Sequence, residues 1–146
     1  MEHTEATIID LSDVHDFEFS KASNAYLMSI VALIVGLPLP IINLAATAII
    51  YLENRKSSFF VRWHSTQALL SQLFTVVLNS ISFYWTFSIL FGSIVLTDSY
   101  VAYIIVILLF NLWEWISTLI AASRLRKGKH FELFFFGPIT HLIIQK

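Results

Sequence analysis

The chain has 146 residues, 57% hydrophobic and 13% charged, with a mean hydropathy of +0.74. Soluble domains carry about 25% charged residues, so much of this apolar surface must face lipid. The net charge of −1 hides a segregation: Glu2, Glu5, Asp10, Asp13, Asp16 and Glu18 all precede Lys21, and seven of the nine basic residues gather at 55–62 and 124–129. The absence of cysteine excludes disulfides, thiolate metal sites, iron–sulfur clusters and a cysteine nucleophile.

Residues 1–20 read as an acidic, flexible tail with too few apolar side chains for a core, and residues 21–146 as a single transmembrane helical domain. His3 and His15 stand among carboxylates, but no fixed helix sets a ligand spacing for them, and no metal site is expected. The first apolar run lacks the basic start of a cleaved signal peptide and is expected to remain as an anchor.

Residues 25–52 contain no charge, and one straight helix over them would run to about 42 Å, longer than a hydrocarbon core of about 30 Å. Pro38 and Pro40 lie in the middle and predict a kink or a break into two half-helices. A basic loop with Arg55 and Lys56 follows, and residues 59–67 form an amphipathic entry to a second span running to residue 96. Along it His64, Ala68, Ser71, Thr75, Asn79, Ser82 and Thr86 recur every three or four residues. They form one helix face, expected to turn toward other helices because lipid offers these groups no partners.

A turn around Asp98 leads to a third span, residues 100–123, whose one charge is Glu114. It stops at Arg124, Arg126, Lys127 and Lys129. The remaining apolar stretch, broken by Glu132, Gly137, Pro138 and His141, is too short to cross and predicts an interfacial or re-entrant helix. The expected fold is therefore an all-α, polytopic membrane helical bundle: three long transmembrane helices, the first broken at Pro38/Pro40, plus the short C-terminal helix. By the positive-inside rule the basic segments are cytoplasmic, and three crossings put the N-terminus outside unless the proline break makes the first segment a re-entrant hairpin that returns it to the cytoplasm; the setting is most simply a bacterial inner membrane.

Asn43, Asn79 and Glu114 each fall about 15 to 18 Å from the basic end of their helix, a shared layer near the midplane. An ionised Glu there costs about 3 kcal/mol, so it is expected to be neutral, bonded across helices or wet. Two readings stay open: interhelical glue, or the lining of a polar groove. Candidate partner- or substrate-binding residues are Arg62, His64, Gln67, Ser71, Thr75, Asn79, Asn43 and Glu114. No catalytic, metal-binding or cofactor motif is present, so the chain is not expected to be an enzyme. Arg55, Lys56, Arg62, Arg124, Arg126, Lys127 and Lys129 suit anionic lipid headgroups, and no nucleic-acid partner is needed to explain them.

At Arg62, His64, Gln67 and Ala68 the chain carries an Arg-x-His-x-x-Gln-Ala motif that resembles the Tic-twenty-like family. That family comprises the membrane subunit of the chloroplast inner-envelope protein translocon and its small bacterial relatives. The resemblance extends over roughly residues 25–144, through the proline-broken span, the basic loop, Ile120 to Gly128 and Pro138. It implies four spans and an accessory subunit of a protein translocation or membrane-protein biogenesis complex. Its partners would be other membrane proteins, such as general-secretion or insertase subunits. The alternatives from the residues themselves are a small oligomeric channel or transporter and a structural membrane adaptor.

Overall fold

The computed structural model describes residues 11–36 and 40–144, the side chains of 32–43 excepted. After a short 3-10 turn at Leu11–Asp13 come five helices: α1 (Asp16–Gly36), α2 (Pro40–Asn54), α3 (Phe59–Leu90), α4 (Asp98–Arg126) and α5 (Phe136–Ile143). No strand occurs among the described residues. Two helices, not the expected three, are long and apolar enough to cross a membrane among those residues: α3 and α4. Only 17% of the most apolar window of α3 and 22% of that of α4 are buried, so these surfaces face outward, as lipid-facing helices do and core helices of soluble proteins do not.

The first apolar stretch is divided instead of spanning. α1 ends at Gly36 and α2 starts at Pro40, where proline fits the first helical position because its missing N–H would have no partner there. Pro38 lies outside the described residues. α2 is about 22 Å long, shorter than the hydrocarbon core. The two helices form a hairpin, and both of its ends lie by the basic segments. At the start of α1 the Lys21 ammonium donates to Ser57 Oγ at 2.8 Å, and Ser23 Oγ donates to the Ala122 carbonyl at 2.9 Å. At the end of α2, Asn54 Nδ2 donates to Ser65 Oγ at 3.0 Å. The expectation of an N-terminal segment on the opposite side from the basic loops is therefore corrected: α1 enters from the same end.

α1 also takes in Asp16 to Ser20, assigned above to the tail. Glu18, three residues after the capping position, accepts the backbone N–H of His15 at 2.9 Å, half of a capping box. Phe19 is buried and meets Phe60 edge-on at 4.8 Å. α3 starts on Ser58, whose hydroxyl accepts from Val61 N, and α4 on Thr97, which accepts from Tyr100 N. Both long helices stop in the same way. Gly92 and Gly128 take φ of 73° and 70°, and the amides of Ser93 and Lys129 reach back to the carbonyls of Ser88 and Arg124, the 6→1 closure that favours glycine at this position.

The core gathers at the basic end. Phe19, Ala22 and Tyr26 of α1 meet Phe60 and Ala68 of α3, Ala121, Ala122 and Leu125 of α4, and Leu133 and Phe136. Small residues let the helices approach closely. α5 packs on α3 through Phe136, Gly137 and Thr140, and leaves Ile139, Leu142 and Ile143 exposed.

Candidate functional site

The stripe on α3 is buried where it faces other helices and opens toward the far end. His64, Gln67 and Thr75 are 0% exposed and Ser71 1%. Asn79 is half-buried and Thr86 exposed. Thr75 turns its hydroxyl back to the Ser71 carbonyl. Arg62 is half-buried, its guanidinium 5.9 Å from the Phe59 ring and its Nε without a partner.

The expected single layer separates into two pairs. Ser71 Oγ donates to Glu114 Oε1, and Glu114, 5% exposed, sits beside Thr118, whose hydroxyl caps the Glu114 carbonyl at 2.8 Å. Asn79 does not reach Glu114. Its amide exchanges two hydrogen bonds with Asn111, at 3.0 and 2.8 Å. The side chain of Asn43 lies outside the described residues.

His64 is the centre of a larger arrangement. Its Nδ1 is 3.1 Å from the Tyr26 hydroxyl and its Nε2 is 3.2 Å from His130 Nδ1. His130 Nε2 and His141 Nε2 in turn lie 3.0 and 3.1 Å from the same oxygen of Glu132. The Trp63 ring, 0% exposed, contacts His64, His130 and His141 at centroid distances of 4.8, 5.1 and 5.1 Å. Glu132 can approach this closely because residue 137 is glycine: a Cβ there would lie 3.0 Å from Glu132 Oε2 and 3.1 Å from its Cβ. Burial pushes the Glu132 carboxyl up, but the hydrogen bonds and charge of His130 and His141 outweigh it and hold the group below the ordinary carboxylate value.

Tyr26, His130, Glu132 and His141 were not among the residues singled out from sequence. They come from α1, the segment after α4, and α5, so no periodicity joins them. The one available signal was the grouping of two histidines and a carboxylate in the twelve residues 130–141, just after the end of α4. Among the described residues no group of three or more histidine and acidic side chains is arranged to hold a metal ion.

Besides Arg62, two side chains in this region have buried polar atoms without partners. Both amide atoms of Gln67 and the Trp63 indole nitrogen are buried without a hydrogen bond. Gln67 falls three residues after His64 and four before Ser71, hence on the face between them.

A family model matches residues 22–140, described as the MamF/MmsF magnetosome magnetite crystal formation protein family. No curated protein and no solved structure gives a significant match. The match overturns the resemblance to the Tic-twenty-like family and, with it, the reading as a translocon accessory subunit in protein transport. The channel, transporter and adaptor readings gain no specific support from it either. With two helices able to span a bilayer and a family match over most of its length, the chain is a membrane protein that belongs to the magnetosome magnetite crystal formation family.

Proposed function

We propose that the protein acts, without catalysing a reaction, in the formation of magnetite crystals as a resident of the membrane that encloses them. The observation that carries this reading is the family match over residues 22–140, which takes in Tyr26, His64, Glu114, His130 and Glu132. The supporting geometry is a membrane-held bundle whose buried polar side chains collect at one end.

By the positive-inside rule that end faces the cytoplasm. Arg55, Lys56, Arg124, Arg126, Lys127 and Lys129 are exposed there, placed for anionic headgroups at roughly 1 kcal/mol each. The outward Ile139, Leu142 and Ile143 of α5 lie against the same interface.

Deletion of the gene in the native host, followed by electron microscopy of intracellular magnetite, tests the role. Altered crystal size, number or shape, restored by the full chain, is expected. Unchanged crystals, or a host that forms none, would overturn it. Orientation is tested by single cysteines at Ser12, Lys56 and Asp98 with an impermeant thiol reagent on isolated crystal-enclosing vesicles, whose outer face is the cytoplasmic one. Ser12→Cys and Lys56→Cys should react and Asp98→Cys should not.

A further inference from the structure

The hydrogen-bonded chain at the basic end has a direction, and one charge sets it. An ionised carboxylate only accepts, so the two histidines that share Glu132 Oε1, at 3.0 and 3.1 Å, both carry hydrogen on Nε2. A neutral His130 then has a bare Nδ1, which must accept from His64 Nε2–H across 3.2 Å. His64 is left with a bare Nδ1, which accepts from the Tyr26 hydroxyl across 3.1 Å. A second proton on His130 reverses this order: His64 Nε2 must accept, its hydrogen moves to Nδ1, and Tyr26 accepts in turn. A change at a side chain that is 21% exposed thereby sets the hydrogen positions on two side chains that are 0% exposed.

The inner end of the chain does not stop in apolar packing. Gln67 has two unpartnered polar atoms and Trp63 one, and unpaired groups of this kind ordinarily hold water, since leaving one bare costs about 1–3 kcal/mol. Gln67 lies on the α3 face between His64 and Ser71, and Ser71 donates to Glu114. Tyr26 is within electrostatic reach of both Glu114 and Glu132. The titratable groups around His64 are therefore Tyr26 of α1, Glu114 of α4, His130 and Glu132 after α4, and, across the Trp63 ring, His141 of α5.

We propose that Tyr26, His64, His130 and Glu132 form a proton relay between the basic-end surface and Glu114, completed on the inside by water held at Gln67. In one outward passage Glu114 gives a proton to that water, which gives one to Tyr26 Oη. Tyr26 passes its own hydrogen to His64 Nδ1, His64 releases the one on Nε2 to His130 Nδ1, and His130 releases the one on Nε2 to Glu132 Oε1. Glu114 loses one proton and Glu132 gains one. Water and Tyr26 are restored, and both histidines have exchanged tautomers. The inward passage is the reverse. This relay ends inside the bundle, and it stands or falls independently of any part in crystal formation.

The test uses the full chain in phosphatidylglycerol-containing nanodiscs. Nitrogen NMR of the wild type should find His64 protonated on Nε2 while His130 is neutral, and on Nδ1 once His130 is charged, both changes sharing one midpoint. A His64 tautomer that does not follow His130 would overturn the relay. Second, a pH jump is followed through the infrared carbonyl band of protonated Glu114, identified by its loss in Glu114→Gln. His64→Phe, which keeps an aromatic ring, should slow the response by about a hundredfold. An unchanged rate would overturn the proposal, and if that variant does not fold, the wild-type tautomer measurement decides alone.

Discussion

At the basic end five helices converge on aromatic and polar side chains with almost no exposure. At the other end α3 and α4 continue as a bare pair. Trp63, His64 and Leu125 are 0% exposed in the first region, while Tyr84, Phe87 and Leu90 are 72%, 51% and 76% exposed in the second. The chemistry joining the helices differs accordingly. The first region is closed by packing around histidines. The second is held by a ladder of isolated contacts: Asn79 with Asn111, the Tyr103 hydroxyl donating to the Leu78 carbonyl, and Thr86 with Tyr100. An apolar surface that water would not tolerate is stable when acyl chains cover it, so the pair needs only enough polar contacts to fix its register.

The largest test of this contrast compares two aromatic truncations. Trp63→Ala removes a ring that touches three histidines and should cost about 3–5 kcal/mol. Phe87→Ala, whose neighbours are Phe83 and Phe91, should cost less than about 0.5 kcal/mol. Both are read by reversible unfolding in mixed micelles, and equal losses would mean the two regions are not built differently.

Next comes the carboxyl inside the bundle. Glu114→Leu strands the Ser71 hydroxyl and should destabilise by about 1–3 kcal/mol, whereas Glu114→Gln retains an acceptor and should cost less. If leucine is tolerated as well as glutamine, the Ser71 bond contributes nothing to assembly.

The smallest measurable effect belongs to the ladder. A double-mutant cycle of Asn79→Ala and Asn111→Ala should return a coupling of about 0.6 kcal/mol, typical of polar contacts between helices in lipid. A coupling near zero would leave the register of the pair to the Tyr103–Leu78 and Thr86–Tyr100 contacts.

A pH dependence separates the two regions further. The depressed carboxyl of Glu132 contributes stability above the unfolded value, and that contribution fades as pH falls through the folded one. Docking of α5, followed by proteolysis after Phe134, should therefore loosen below about pH 4. The protection of the Asn79 amide, relative to its intrinsic exchange rate at each pH, should be indifferent over the same range.

The long helices were legible because their signals are local. The start of α3 at Phe59 follows from the amphipathic run, whereas its end at Leu90 comes before the expected residue 96, because Gly92 turns the chain at a φ of 73°. The buried half of the polar stripe follows from spacing alone. What escaped depended on tertiary contact. Phe19 and Ala22 look sparse beside an acidic segment, and it is the cluster with Phe60 and Ala122 that buries them. The break at the prolines was legible, but length and charge alone do not decide between a kinked crossing and a re-entrant hairpin; the contacts of Lys21 with Ser57 and of Ser23 with Ala122 favour the hairpin. His130, Glu132 and His141 read as interruptions of a short apolar stretch, since nothing in their spacing shows that they close around His64. The family resemblance rested on a short motif at one helix start and, over the rest of residues 25–144, mostly on hydropathy, which unrelated membrane proteins share.

Gly137 gives a way to disturb the histidine chain without changing a single ionisable group. A methyl group added there would press on Glu132 at 3.0 Å and tilt the carboxylate away from its two imidazoles, leaving every charge in place. Gly137→Ala is thus a steric control for each titration described above: whatever it reproduces arises from where the carboxylate sits, and whatever it leaves untouched arises from the charge it carries.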